Sequence, residues 1–481
     1  MHLSAVLEGL ALNPALPQDA VRRLIGHRGG MGEVGKRPDL TDELAGEMID
    51  TGWTRLRWSL AFNEHLPATA RLRLARDRDD SVRAATASGC GHGTAREVYE
   101  LLLADPEEHV RDSLARNDEM PSELRERLAA DPSPKVRASL AQHWPGAPEH
   151  VRRALLTDAA DQVRASACDT YYPRLPHPVH PADLVPALLA DPVTRSGAVA
   201  QAAVDAETAA RLAADPDPQV RAQLARHPQL PAQLRDVLAE DPSAEVRLGV
   251  YARQDTPDVV RAAIHAWMLA APHPMDIDPD LDDEAAELEF MRSVLVAELH
   301  MMRLEWVRDD PLPHVGSPYP CFRISAASTR QPLPPEVVAR LLADEDREVR
   351  LAMARRAPHL VDPATAERLE REYRPFKPTP WRPADVLDFP PDALRRFATD
   401  PEPRMRCLAP RDPDLPVDLA VALARDPDAG VRQEIAAHPA LPVAVLVALL
   451  DDEDEGTVQA AAGSPRLPVE QMHRLLDLAG L

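Results

Sequence analysis

The sequence predicts an all-α protein, an α-solenoid built from two-helix repeats of about 26 residues. Three observations carry this. A shared unit, LPxxLxxxLAxDPxxxVRxxLAxHP, recurs along the chain, as in LRERLAADPSPKVRASLAQH from Leu124 and ARLAADPDPQVRAQLARHPQLP from Ala210. Its key hydrophobic residue falls at Val82, Val110, Val136, Val163, Val220, Val246, Val349, Met405 and Val431, in steps of 26 to 28, about twice that across a degenerate unit, and a longer step from Val246 to Val349 across the acidic break. No segment alternates polar and apolar residues as a half-buried strand would.

The first helix of a unit opens at a Leu-Pro pair such as Leu230-Pro231 and carries Leu234, Val237 and Leu238 on one face. Proline near the first turn costs little, because that amide has no intrahelical partner. Asp241-Pro242 ends the helix, since proline cannot continue it. The second helix runs through Val246 and Arg247 for about two turns. A residue before proline, as in His227-Pro228, His438-Pro439 and Asn13-Pro14, is pushed out of the α region and closes it. Leu56 before Arg57 lies in the same register, and Val458 continues it with Gln459 in place of Arg. One unit alone leaves its apolar face in water, so neighbours must stack.

Asp precedes Arg by six residues in nine units: Asp77/Arg83, Asp105/Arg111, Asp131/Arg137, Asp158/Arg164, Asp215/Arg221, Asp241/Arg247, Asp344/Arg350, Asp400/Arg406 and Asp426/Arg432. Asp sits at the turn between helices and Arg in the first turn of the second. A guanidinium forks onto a carboxylate and carbonyls, so the expectation is a structural ladder tying unit to unit, against the alternative of an Arg row for an anionic ligand.

The units DPxxxVRxxLA followed by HPxLP resemble the leucine-rich repeat variant family, and more loosely HEAT repeats. The resemblance covers most of the chain. It implies an all-helical, right-handed superhelix. Members of that family can carry an N-terminal four-cysteine iron–sulfur module, which this chain lacks, so no cluster and no cofactor is expected. HEAT-like folds include scaffolds, alkylbase DNA glycosylases and bilin lyases, so the fold leaves the function open.

Two breaks divide the array. The expected organisation is an N-terminal repeat array over 1–270, an acidic insertion with a long helix over 271–318, repeats over 319–372, a Pro-rich loop over 373–391 and C-terminal repeats over 392–481. The long helix is expected over Asp283 to Arg308, with Leu288, Met291, Leu295, Leu299, Met302 and Trp306 as its apolar stripe.

The bulk composition narrows the function. The chain has 481 residues and a net charge of −23, a field that repels phosphate backbones. Its cations are almost all Arg, with Lys only at 36, 135 and 377, a bias of GC-rich bacterial genomes. Cys90, Cys168, Cys321 and Cys407 are far apart and form no CxxC pair, so neither a disulfide framework nor a metal site is expected. No basic leader or long apolar run appears, and a cytoplasmic protein without a membrane segment is the expectation.

Two motifs invite other readings. Gly30-Met31-Gly32-Glu33-Val34-Gly35-Lys36 fits GxxxxGK, but Arg37 stands where a P-loop needs Ser or Thr, and the register makes the segment a degenerate second helix. Asp276, Asp278, Asp280, Asp282, Glu284 and Glu287 fit the spacing of a calcium loop, but Leu281 occupies the position that needs glycine. The expected function is therefore a non-catalytic scaffold binding another protein through its concave face and insertion. The alternatives are a HEAT-like DNA glycosylase or nucleic-acid binder, which needs a basic groove, and a small-molecule or pigment-handling enzyme, which needs a closed pocket. Trp58, Trp144, Arg226, Tyr251 and Arg253, near the ends of second helices, are the candidate partner-binding residues.

Overall fold

The computed structural model describes residues 2–27, 32–169, 177–272, 283–374 and 381–481, and among them every regular element is helical. The calcium-like spacing falls mostly on residues outside those described. The chain forms two compact units, one of Met1–Leu155 with Pro390–Leu481 and the other Leu156–Phe389. Both are α-solenoid stacks.

Each repeat folds for local reasons. Prolines such as Pro231, Pro416 and Pro442 sit in extended conformation just ahead of first helices, and Asp at the inter-helix turn accepts the amide two residues on, as Asp131 Oδ1 does from Ser133 at 2.9 Å. The anchor valines at 82, 110, 136, 163, 246, 349, 431 and 458 are fully buried between neighbouring second helices.

In the first unit the second helices stack in the order Thr54–Ala61, Asp80–Ser88, Glu108–Ala115 and Pro134–His143. A 3-10 helix, Gly32–Lys36, precedes them against Thr54–Ala61. This is the degenerate second helix of the P-loop-like segment. Val34 is its buried residue, Lys36 pairs with Glu33 at 3.0 Å, and Gly30 lies outside the described residues. A Cβ on Gly35 would stand 2.8 Å from the Leu60 amide nitrogen, so glycine permits this close approach.

The same stack continues through the chain ends. Helix Leu3–Leu12, a second-type helix with Val6 as its buried anchor, lies on the C-terminal second helix Glu455–Gly463. Asn13 Nδ2 donates to the carbonyls of Ala462 at 2.9 Å and Ser464 at 2.8 Å. Asn63 makes the same pair of bonds to Gly35 and Arg37, and Asn117 to Ala87 and Cys90. The first helix preceding Leu3–Leu12 in the stack is Val469–Leu478, from the opposite end of the chain, so one repeat is composed of both termini. Arg23 binds Asp477 and the carbonyl of Leu481 across this joint.

The second unit stacks Asp161–Cys168, Arg195–Val199, Pro218–Arg226 and Ala244–Tyr251. The acidic break supplies helix Asp283–Met301, which packs on Ala244–Tyr251, Asp258–Leu269 and Pro320–Ala327. This helix is shorter than the spacing predicts. It stops at Met301, the Leu304 amide is taken by Ser325 Oγ at 3.0 Å, and a separate helix covers Glu305–Asp309. Leu299 is buried, Leu295, Met302 and Trp306 pack against the core, and Met291 faces solvent. In the Pro-rich break, the fully buried Glu370 carboxylate accepts Arg382 at 2.7 Å and the Ala384 amide at 2.9 Å.

The arginines of the VR position link the repeats. Each donates one nitrogen to the backbone carbonyl of the Asp six residues earlier and the others to the carboxylate of the next repeat. Arg83 binds Asp77 O at 2.8 Å and the Asp105 carboxylate at 2.6 Å. Arg111–Asp131, Arg221–Asp241, Arg406–Asp426 and Arg432–Asp452 repeat this at 2.6 to 2.7 Å. The partner carboxylate is therefore the following repeat's, 20 to 22 residues on, while the Asp six residues earlier contributes its carbonyl. Arg57, Arg195 and Arg323 extend the pattern to Asp77, Asp215 and Asp344. Departures occur where the next repeat changes: Arg164 binds Asp191 and Asp161, and Arg350 binds Glu372. Arg137 donates to Asp131 O at 2.6 Å, while Asp400 and Asp158 offer their carbonyls to Arg406 and Arg164. Arg247 binds the carbonyls of Asp241 and Glu240 and lies 3.9 Å over the Trp267 ring.

Candidate functional site

The sequence-derived candidates separate sharply in the structure. Trp58 is exposed and stacks edge-on at 4.8 Å against Phe62, the residue that caps the end of helix Thr54–Ala61. Trp144 is half-buried, its ring 5.0 Å from the Arg125 guanidinium. Arg226 is exposed beside Glu245 at 3.8 Å. Two candidates are corrected. Tyr251 is completely buried in an aromatic cluster with Tyr319 and Phe322, because the long break helix packs over its end of the repeat. Arg253 is also buried, donating to the carbonyls of Ala225 and His227 and to Asp255 at 2.7 Å. It takes the place that Asn63 and His227 fill elsewhere, a side chain tying the end of one second helix to the preceding repeat.

The basic ridge that would favour nucleic acid is not assembled from these residues. Arg116 binds Asp112 at 2.9 Å, Arg226 faces Glu245, and Arg253 is withdrawn from the surface.

Beside Phe62, with Trp58 packed on its ring just outside the lining, the first unit opens into a groove of about 660 Å³ across the C-terminal ends of helices Thr54–Ala61, Asp80–Ser88 and Glu108–Ala115. Its floor is backbone. Gly89 packs where a Cβ would overlap the Ala61 carbonyl, bringing the two helix ends together. The buried Arg71 guanidinium fastens them, donating to Gly89 O at 2.6 Å and Asn63 O at 2.8 Å. Burial lowers its pKa, and the nearby Cys90 and Tyr99 oppose that shift. Burial pushes the Cys90 thiol up to about 11, eased by Arg71 and Thr94. It is a neutral thiol at the groove base, without the thiolate character of a nucleophile.

The groove's rim is polar. Glu64 and Asp118 are exposed and carry no ion-pair partner among the described residues, and Glu119 lies 3.9 Å from the exposed His92. Arg116 is the cation on this rim, already engaged with Asp112. Sequence reading found Trp58 and missed the rest. The signal was present: Trp58 and Phe62 stand four apart where the next repeat has Ala84 and Ser88, so small neighbours leave the ring pair standing free.

Elsewhere, Cys168 donates to Thr194 O at 3.2 Å beside His180 at 3.5 Å, and burial pushes it up to about 12, so this buried pair also holds a neutral thiol. Asp80, Glu107 and His109 converge at the surface, with His109 paired to Asp80 at 3.2 Å. No helix among the described residues is long and apolar enough to cross a membrane.

No protein-family model matches the chain, and no curated protein matches it either. Among solved structures, similarity reaches a leucine-rich repeat variant with a novel repetitive structural motif, at 25% identity over 43% of this chain and 79% of that one, with a TM-score of 0.32. It also reaches the karyopherin Kap121p bound to Nup53p, at 14% identity over 96% of this chain and 55% of that one, TM-score 0.25, and Kap121p bound to RanGTP, at 12% identity over 92% and 56%, TM-score 0.22. The chain spans about half the length of these karyopherin chains.

Proposed function

We propose that the protein is a non-catalytic scaffold of the leucine-rich repeat variant type that binds another protein, and that the groove over Thr54–Glu119 is its principal contact surface. The exposed Trp58–Phe62 pair carries this reading. Large aromatic rings standing in water are costly to leave uncovered, and such rings rimmed by polar groups are the usual anchors of protein interfaces. Burial holds the groove's thiol, Cys90, in its neutral form, which is not that of an activated nucleophile. A net charge of −23 and the pairing of Arg116 and Arg226 with carboxylates work against a nucleic-acid partner.

The test is affinity capture from native cells with wild-type protein and Trp58→Ala, read by quantitative mass spectrometry, beside filter binding to duplex and single-stranded DNA. The reading expects a protein retained in near-stoichiometric amount by the wild type and depleted on Trp58→Ala, with no DNA retained at moderate salt. Equal retention by both proteins, or micromolar DNA binding with a steep salt slope, contradicts it.

A further inference from the structure

We infer that the groove receives a cationic, extended peptide segment, with an Arg or Lys seated on the Phe62 ring that Trp58 flanks and its neighbours facing Glu64, Asp118 and Glu119. This rests on the protein-binding reading and specifies the partner's chemistry.

Charge and shape both point to this occupant. The rim presents Glu64 and Asp118 without ion-pair partners among the described residues, and Glu119 with only an exposed imidazole beside it. The rim cation, Arg116, is held by Asp112, itself a buried side chain that also accepts from Ser139. An acidic segment entering the groove would meet these carboxylates, with the rim arginine, Arg116, already engaged by Asp112. A purely apolar segment would cover the carboxylates without pairing them, at the desolvation cost of buried charge. A cationic segment satisfies both parts of the surface. Its guanidinium or ammonium lies over an aromatic face, an attraction that strengthens as water is excluded, and its other cations pair the rim acids.

The geometry favours an extended chain. The groove crosses the ends of three successive second helices, and its walls are the turns at Phe62–His65, Gly89–His92 and Arg116–Glu119. Successive repeats place these turns at regular intervals, so side chains along an extended peptide meet a repeating series of helix ends. The floor is fastened by the close packing of Gly89 and by hydrogen bonds from Arg71 and Asn117, so its backbone groups are paired before a partner arrives.

The experiment is a fluorescence-anisotropy titration of the full-length protein with three labelled peptides of equal length: Arg/Lys-rich, acidic, and neutral apolar. A single-stranded oligonucleotide is the fourth probe. Three proteins are compared: wild type, the groove variant Glu64→Gln/Asp118→Asn/Glu119→Gln, and the control Glu336→Gln/Asp392→Asn/Glu470→Gln, which removes the same charge from other exposed positions. Trp58→Ala is titrated beside them. The inference expects saturable binding of the cationic peptide alone, weakened as salt rises, and weakened at least about fivefold by Trp58→Ala and by the groove variant. The control variant should bind like wild type. No saturable cationic binding, equal loss in the groove and control variants, or preference for any other probe overturns the inference. If the cationic peptide fails while capture of a native partner still depends on Trp58, the charge assignment falls and the protein-binding reading stands. If both fail, both fall.

Discussion

At the scale of single residues, the Arg of each VR pair joins two repeats at once. Arg111 holds Asp105 O at 2.7 Å and the Asp131 carboxylate at 2.7 Å, and both side chains are nearly out of water. Removing one partner leaves a buried charge unpaired, which costs about 3–5 kcal/mol. Asp131→Ala should therefore lower the denaturant midpoint strongly, whereas Glu100→Ala, at an exposed pair with Arg96, should cost no more than about 1 kcal/mol. Equal shifts would mean the ladder contributes little. The same measurement has a pH dependence with a definite sign. For Asp426 and Asp452, burial raises the carboxyl pKa, but the arginine hydrogen bond and a backbone amide outweigh it, and both lie below the ordinary carboxylate value. A lowered carboxylate contributes stability that is full above the unfolded value of about 3.9 and drains as pH falls through the folded one. The wild type should thus lose stability below about pH 4, and Asp426→Asn, already lacking that charge, should lose less over the same range. The Asp–Arg spacing was legible in the sequence. The carboxylate's true partner was not, because a six-residue separation looks like a pair until the stacking places the next repeat's Asp closer.

At the scale of elements, the two-helix repeat was legible because proline, the inter-helix Asp and the buried valine each act locally and recur. What escaped was where neighbours alter a repeat. Arg253 resembles an exposed helix-end cation in sequence, yet it substitutes for Asn or His in the tie to the preceding repeat. Tyr251 resembles a surface anchor until the helix Asp283–Met301 packs on its own helix. The joint between Leu3–Leu12 and Glu455–Gly463 is a further case, since its partners lie at opposite ends of the sequence. Gln459 occupies the arginine position there, so no rung of the VR type starts from it, and the Arg23–Asp477 pair joins the first helices instead. Close approach of backbones replaces the rung, since a Cβ on Gly9 would overlap the Gln459 carbonyl and the Ala462 side chain. Gly9→Val should force these helices apart. Amide exchange in Glu455–Gly463 should accelerate markedly, while exchange in Ala244–Tyr251 of the other unit stays unchanged. Unchanged exchange in both segments would show that the two helices are not in contact.

At the scale of the whole molecule, the sequence conveys an array with two breaks, and the structure divides the chain differently, with residues from both ends in one unit. Each repeat buries its apolar face against a neighbour, and helices Val469–Leu478 and Leu3–Leu12 pack together as the two helices of one repeat. The groove at Thr54–Glu119 lies within this unit and rests on the continuity of the stack on which it is built. That continuity is most directly measured by electron paramagnetic resonance between spin labels at Ser4 and Glu455, both exposed, on the helices facing each other across the chain ends. The account predicts one narrow, short distance, set by helix axes roughly 8–10 Å apart plus the label tethers. A broad distribution centred at several times that separation would contradict it.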